Sequence, residues 1–176
     1  MNRLLCAALA AMLFAAAPAH AKVAAQNESG FTLSYEAEIP KDSNAAFDAF
    51  IRIGEWWDPA HSYSGDGKNL TIDLKPGGCW CETLPDGGFV AHMRVAQSMP
   101  GKSLLFKGGL GPLAFMGVEG AMAVTFEAKG KAAAVKLNYA IGGHAPTGFK
   151  DLANGVDKVL GEAFKRYVNY ASTGKP

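Results

Sequence analysis

Residues 149–170, FKDLANGVDKVLGEAFKRYVNY, carry a long helical pattern near the C-terminal end of the sequence. Apolar side chains recur every three or four residues on one side and charged side chains occupy the other, as in an amphipathic α-helix. The apolar positions are Phe149, Leu152, Val156, Val159, Leu160, Ala163, Phe164 and Tyr167. At ~1.5 Å per residue the predicted helix is about 33 Å long, which is enough to cross a whole β-sheet. A sheet with one apolar face could therefore be covered by this single helix.

The residues upstream of the helix predict that sheet. Residues 31–39, FTLSYEAEI, alternate apolar and polar side chains, which is the period-two pattern of a half-buried strand. Six further strands are predicted: residues 69–75, the two arms of a hairpin around residue 86, and residues 102–107, 121–129 and 132–141. The sequence thus predicts a seven-stranded antiparallel sheet.

Two short helices are predicted between the first and second strands. Ser43 or Asn44 can cap the first one, and a second helical turn includes Trp56 and Trp57. The predicted fold class is α+β, with the sheet curved around the long C-terminal helix. When a sheet curls in this way, the space between sheet and helix can remain a cavity lined by inward-pointing side chains.

The first 21 residues have the pattern of a signal peptide. Arg3 supplies a positive charge, an apolar run follows it, and Ala19-His20-Ala21 is a small-x-small cleavage site. No later apolar run reaches the roughly 18–20 residues of a membrane span. We therefore expect an exported protein, periplasmic or secreted after cleavage near Ala21, with a flexible segment at 22–30 and one domain at 31–172.

The charge balance excludes one class of partner. Without Arg3, the chain has sixteen basic and sixteen acidic residues and no basic runs. It therefore lacks the electrostatic footprint of a nucleic-acid-binding protein. A neutral chain of this kind favours an uncharged partner, and we expect a monomer that binds a hydrophobic or amphipathic small molecule, without a metal, a cofactor or stable membrane insertion.

Residues 77–93, GGCWCETLPDGGFVAHM, predict a hairpin with one strongly apolar face. An even-numbered loop pairs Leu84 with Phe89, and the apolar face then points inward with one charged residue, Glu82. Its members are Trp80, Glu82, Leu84, Phe89, Ala91 and Met93. An odd-numbered loop would instead place His92 on the inner face with Glu82.

Cys79 and Cys81 lie on the opposite face of this hairpin and allow three interpretations. Their Cα atoms would be roughly 6.6 Å apart on a flat strand, at the edge of what a disulfide tolerates. A zinc site with His92 would need a turn between the two sulfurs. Two half-buried thiols are the interpretation that we favour.

Two further segments predict the borders of a pocket. Trp56, Trp57 and Tyr63 crowd one loop, and aromatic side chains at this density either fill a core or line the mouth of a ligand site. The stretch around Leu113 is apolar but interrupted by glycines, which suits either a flexible gate over a cavity or plain packing at the edge of the sheet.

Several segments together resemble the exported branch of the SRPBCC proteins, the superfamily of START, Bet v 1 and polyketide-cyclase-like proteins. They are WWDPAHSYSGD (56–66), LKPGGCWCE (74–82), GFVAHM (88–93), LGPL (110–113) and LANGVDKVLGEAFKRY (152–167). The resemblance covers nearly all of residues 31–172 and implies a helix-grip, Bet v 1-like fold. It does not imply one activity, because this scaffold hosts carriers, cyclases, dehydratases and co-chaperones.

The sequence therefore predicts an exported protein that carries or sequesters a small molecule in an internal cavity. Its predicted ligand-binding residues are Trp56, Trp57, Tyr63, Trp80, Glu82, Leu84, Phe89, Met93, Leu113, Val156 and Leu160. Glu82 would orient the ligand. The alternative is a cyclase-, dehydratase- or hydrolase-like enzyme in which Glu82 works as an acid or base with His61, His92 or Tyr63.

Overall fold

The structure, a computed structural model, describes residues 20–176 of the chain and the side chains from residue 23 onward. The predicted signal peptide lies outside the described residues except for its last two positions, His20 and Ala21, which begin the first strand. None of the helices in this described part is both long enough and apolar enough to cross a lipid bilayer.

The described residues form one antiparallel sheet of eight strands, with the order β1-β2-β8-β7-β6-β5-β4-β3. The strands are β1 (His20–Asn27), β2 (Gly30–Ile39), β3 (Leu70–Ile72), β4 (Cys79–Thr83), β5 (Phe89–Met99), β6 (Ser103–Lys107), β7 (Gly117–Lys129) and β8 (Ala132–His144). Seven of them correspond to the predicted strands, although β3 is shorter than the predicted 69–75.

The eighth strand, β1, corrects the prediction of a flexible segment at residues 22–30. It pairs with β2 from Asn27 opposite Gly30 to His20 opposite Glu36. Val23 is half-buried, but the residues from 24 to 29 are exposed. Because the side chains of residues 24–29 are exposed while the backbone pairs with β2, no period-two pattern marks this part of the strand in the sequence.

Three helices complete the fold: α1 (Ser43–Ile51), α2 (Ile53–Trp56) and α3 (Lys150–Thr173). The N-cap of α1 is Asp42 rather than the predicted Ser43 or Asn44, and its carboxylate accepts a 2.9 Å hydrogen bond from the Ala45 amide. The two short helices follow the second strand, because β1 precedes the strand that the sequence predicted as first. α3 is 24 residues long and contacts β1 and β2 of the sheet.

α3 contacts the rest of the molecule in two different ways along its length. From Leu160 onward its inner side packs against α1 and α2, and we call this half the packed end. Tyr167 is fully buried there, and its hydroxyl donates a 2.9 Å hydrogen bond to the Ala46 carbonyl. Phe50 packs edge-to-face on the Tyr167 ring at 5.1 Å between ring centroids.

The other half, residues 150–159, faces two loops and His92 on β5, and we call it the hollow end. It also contacts the sheet, because the Tyr35 hydroxyl on β2 donates a 2.7 Å hydrogen bond to the Asp157 carboxylate. Phe149 and Ala153 are buried, but Leu152, Val156 and Val159 remain partly exposed. The curl of the sheet is therefore filled by helices at the packed end and left open at the hollow end, which is where a cavity forms.

Candidate functional site

A cavity of about 550 Å³ lies at the hollow end. One wall is α3, through Leu152, Gly155, Val156, Val159 and Leu160. The facing walls are the loop after α2, the loop after β6 and His92 on β5. The volume falls within the range of about 300–1,000 Å³ that is usual for small-molecule sites.

The loop after α2 is fixed to its surroundings by hydrogen bonds. The indole N–H of Trp57 donates a 3.0 Å hydrogen bond to the His61 carbonyl, and Asp58 caps a 3₁₀ turn at Pro59–His61. Arg166 on α3 donates a 2.8 Å hydrogen bond to the Trp56 carbonyl. This loop is therefore a fixed wall, and it holds Tyr63 at the rim of the cavity with its side chain half exposed.

The loop after β6 is anchored at its root and exposed at its tip. The hydroxyl of Tyr139 on β8 donates to the Gly108 carbonyl and accepts from the Leu110 amide, both at 2.9 Å. Burial raises the pKa of Tyr139. Leu113 is buried against the cavity, whereas Phe115, two residues later, is 83% exposed.

A buried carboxylate lies behind the cavity wall. Glu82 is fully buried, and its Oε2 lies 2.9 Å from Nε2 of His92. Its Oε1 accepts a short hydrogen bond from the Ser64 amide. Burial alone would raise the pKa of Glu82, but the hydrogen bonds from Ser64, from the Tyr63 backbone and from His92 outweigh burial and lower it. Glu82 is therefore ionised at neutral pH.

The register of the β4–β5 hairpin explains how His92 reaches this position. Thr83 pairs with Phe89 across an odd-numbered loop, residues 84–88, in which Asp86 and Gly87 take left-handed conformations. A β-bulge at His92 then restores the even register, so that Trp80 pairs with Met93. Each of the two predicted registers thus holds in one half of the hairpin. The bulge turns both His92 and Met93 inward, because the extra residue shifts the alternation.

This register corrects part of the predicted inner face. Trp80, Glu82 and Met93 are buried, as expected. Phe89 is 74% exposed and Ala91 is also exposed, so their predicted inward orientation is wrong. Both precede the bulge, where the odd register turns them to solvent.

The structure joins Cys79 and Cys81 in a disulfide, where the sequence favoured two thiols. Their Cα atoms are 5.3 Å apart, closer than on a flat strand, because the strand is distorted beside the bulge. The disulfide lies on the opposite side of β4 from Trp80 and Glu82. Among residues 20–176, no three His, Cys, Asp or Glu side chains come together as a metal site.

The predicted ligand-binding residues fall into three groups. Trp57, Tyr63, Leu113, Val156 and Leu160 line the cavity. Trp56, Trp80, Glu82 and Met93 are buried without lining it, and Trp80 packs behind Trp57 with ring centroids 5.1 Å apart. Leu84 and Phe89, near the tip of the hairpin, do not line it.

Several lining residues were not among the predicted ligand-binding residues. Leu152 and Val159 belong to the helical stripe and could have been added from their spacing. Gly155 and Asp151 carry no such signal. His61 and His92 were considered only as partners of Glu82, and the bulge that brings His92 to the wall has no periodic signature.

Comparison with known proteins establishes the fold. No family model and no curated protein matches the sequence. Among solved structures, EF2215 from Enterococcus faecalis, a conserved protein of unknown function, has 12% identity and a TM-score of 0.58 over 90% of this chain and 79% of its own. CalU16 from Micromonospora echinospora has 12% identity and a TM-score of 0.58, over 90% and 86% of the two chains.

A third similar structure is CalC from Micromonospora echinospora, a self-sacrificing resistance protein. It has 20% identity and a TM-score of 0.56, over 82% of this chain and 96% of its own. At such identities the likeness concerns the fold alone. The chain shares with these proteins the α+β fold of a curved antiparallel sheet and a long C-terminal helix.

Proposed function

We propose that this protein binds a hydrophobic or amphipathic small molecule in the cavity at the hollow end. The observation that carries the proposal is a cavity of about 550 Å³ whose α3 wall is made of Leu152, Gly155, Val156, Val159 and Leu160, with Asp151 as its one charged residue. Burial of apolar ligand surface contributes about 2.5 kcal/mol for each 100 Å² removed from water. An apolar molecule of moderate size therefore gains enough free energy there to bind.

The experiment compares two substitutions on the same helix. Val156→Trp places a large side chain inside the cavity, whereas Lys158→Trp places the same side chain on the exposed side. We expect titration with naphthalene, followed by its fluorescence, to show binding to wild type and to Lys158→Trp and at least tenfold weaker binding to Val156→Trp. Equal affinity for all three proteins would contradict the proposal.

We propose further that the protein is an exported, monomeric carrier. The signal-peptide pattern of residues 1–21 supports export. Cleavage after Ala21 would leave Lys22–Asn27, most of β1, paired with β2. N-terminal sequencing of the protein from its native host should start at Lys22, and a chain that starts at Met1 would contradict export. Solvent extraction of the same sample, followed by mass spectrometry, would identify the cargo.

A second candidate function is acid–base catalysis, and it is favoured by one observation: cavity-lining His92 is held by ionised Glu82. In such a pair the histidine removes a proton from the bound molecule, and the carboxylate stabilises the imidazolium that forms. Cyclisation, dehydration and hydrolysis can all begin in this way. Once the extracted molecule is known, we expect Glu82→Gln to abolish its turnover without loss of uptake, if the protein is an enzyme. If that variant loses only affinity, the carrier proposal stands.

A further inference from the structure

We propose that His92 selects ligands that carry a hydroxyl group, because its Nδ1 presents a hydrogen-bond acceptor to the cavity. The preferred ligand is then an apolar molecule with one hydroxyl, such as a phenol or an alcohol, rather than the same skeleton with a carboxylate or an ether. This inference rests on the proposed function, because it concerns the ligand of the same cavity.

The hydrogen bond between Glu82 and His92 has a direction that the charge of Glu82 determines. An ionised carboxylate only accepts hydrogen bonds. Glu82 is fully buried, and its other oxygen already accepts from the Ser64 amide. At 2.9 Å from Oε2 of Glu82, Nε2 of His92 must therefore carry the proton and donate it.

The proton on Nε2 decides the role of the other ring nitrogen, Nδ1. The inference concerns the neutral form of His92, which has one N–H, so that a proton on Nε2 leaves Nδ1 as an acceptor. Within the described part of the chain, Nδ1 makes no hydrogen bond. It is also not one of the fully buried side-chain atoms that lack a hydrogen-bond partner. His92 is among the residues that line the cavity, and with Nε2 engaged by Glu82 the remaining polar atom of its ring is Nδ1.

The charge of the remaining wall also limits the ligand. Asp151 lies at the rim, and the described lining residues include no lysine or arginine. A carboxylate ligand would bring a negative charge to an acceptor nitrogen, with no cation to balance it. An ether offers only acceptor oxygens. A hydroxyl can donate to Nδ1, and a neutral hydrogen bond of this kind is worth about fivefold in affinity.

The experiment measures, for each protein, the ratio of the affinities for two ligands. Differences in ligand hydration cancel when this ratio is compared between proteins. At pH 8, 2-naphthol and 2-methoxynaphthalene are titrated into wild type and His92→Phe. His144→Phe, which replaces an exposed histidine that does not line the cavity, is the matched control. We expect the preference for 2-naphthol to fall about fivefold in His92→Phe and to stay unchanged in His144→Phe. An unchanged preference in His92→Phe would overturn the inference.

Glu82→Gln provides a second test, in case His92→Phe does not fold. Its amide oxygen can keep the hydrogen bond from Ser64, which leaves the amide NH₂ beside Nε2 of His92. The imidazole proton then moves to Nδ1, and the cavity presents a donor. We expect the preference to shift toward 2-methoxynaphthalene by about fivefold or more. Loss of packing alone would not reverse the preference in this way.

The ring nitrogen shifts of His92, measured by NMR without ligand, separate this inference from the proposed function. Wild type should show the proton on Nε2, and Glu82→Gln should show it on Nδ1. A wild-type proton on Nδ1 would overturn the inference even if both naphthalene derivatives bind. If neither derivative binds, the proposed function is wrong, and selection of a ligand by His92 is overturned with it.

Discussion

The packed end and the hollow end of α3 lie on one continuous amphipathic helix, but the packed end contacts other helices and the hollow end lines a cavity. At the packed end Tyr167 and Phe164 are buried, and α1 and α2 fill the curl of the sheet. At the hollow end Val156 and Val159 are only partly buried, and they line a cavity of about 550 Å³. The helical stripe is equally apolar in both halves. Both halves contact Tyr35 on β2, and the difference comes from their other neighbours, which are two helices at one end and two loops at the other.

This comparison implies that stability and binding are separated along the helix. Side chains at the packed end lose their contacts only when the protein unfolds. Side chains at the hollow end are left with surface that a ligand can cover. Substitutions at the packed end should therefore mainly lower the free energy of unfolding, and substitutions at the hollow end should mainly change the affinity for a ligand.

The largest expected effect comes from Tyr167→Ala at the packed end. It removes a fully buried ring and its hydrogen bond to the Ala46 carbonyl, and it should lower the free energy of unfolding by about 3–5 kcal/mol. Urea denaturation measures it. The control is Val156→Ala at the hollow end, which should cost at most about 1 kcal/mol because that side chain is only partly buried. An equal decrease in the free energy of unfolding in the two variants would contradict the distinction between the packed end and the hollow end.

The next largest effect concerns Glu82 and its dependence on pH. Because its hydrogen bonds lower the pKa of Glu82 in the folded protein, the stability that it contributes is complete above the pKa of the unfolded chain and is lost as pH falls through the folded value. Glu82→Gln should be less stable than wild type by about 1–3 kcal/mol at pH 7. The gap, followed by urea denaturation from pH 7 to pH 3, should narrow below about pH 4.5. A gap that widens toward acid would contradict the pKa direction.

The smallest effect is expected from Tyr139→Phe at the root of the loop after β6. This variant removes the hydroxyl that bonds the Gly108 carbonyl and the Leu110 amide, at a cost of about 0.5–1.5 kcal/mol. Hydrogen exchange should become faster at Leu110 and around the loop, while the amides of the packed end change only with global stability. An equal increase in exchange rate along the whole chain would mean that the loop does not open independently of the rest of the protein.

The elements with regular patterns could be predicted from the sequence. The stripe on α3 and the alternation in residues 31–39 each belong to an element that buries one apolar face, and such an element repeats its pattern at every turn or every second residue. β1 could not be predicted in this way, because its residues after Val23 are exposed and pair with β2 through the backbone alone.

The candidate site was less predictable than the fold, for a physical reason. A β-bulge changes the register by one residue without any repeating signal, so the outward turn of Phe89 and the inward turn of His92 could not be chosen over the alternative. The pairing of Glu82 with a histidine was foreseen as one possibility. Which of His61 and His92 would provide it depended on that single bulge.

The most direct test of the account is where an apolar ligand contacts the protein. NOEs from bound 2-naphthol to the methyl groups of a valine- and leucine-labelled sample would locate it. We predict contacts to Leu152, Val156 and Leu113, and none to Val168 at the packed end. Contacts confined to the exposed surface around Phe115, or a hollow end that gives no contact at saturating ligand, would contradict the claim that the protein encloses its ligand beneath α3.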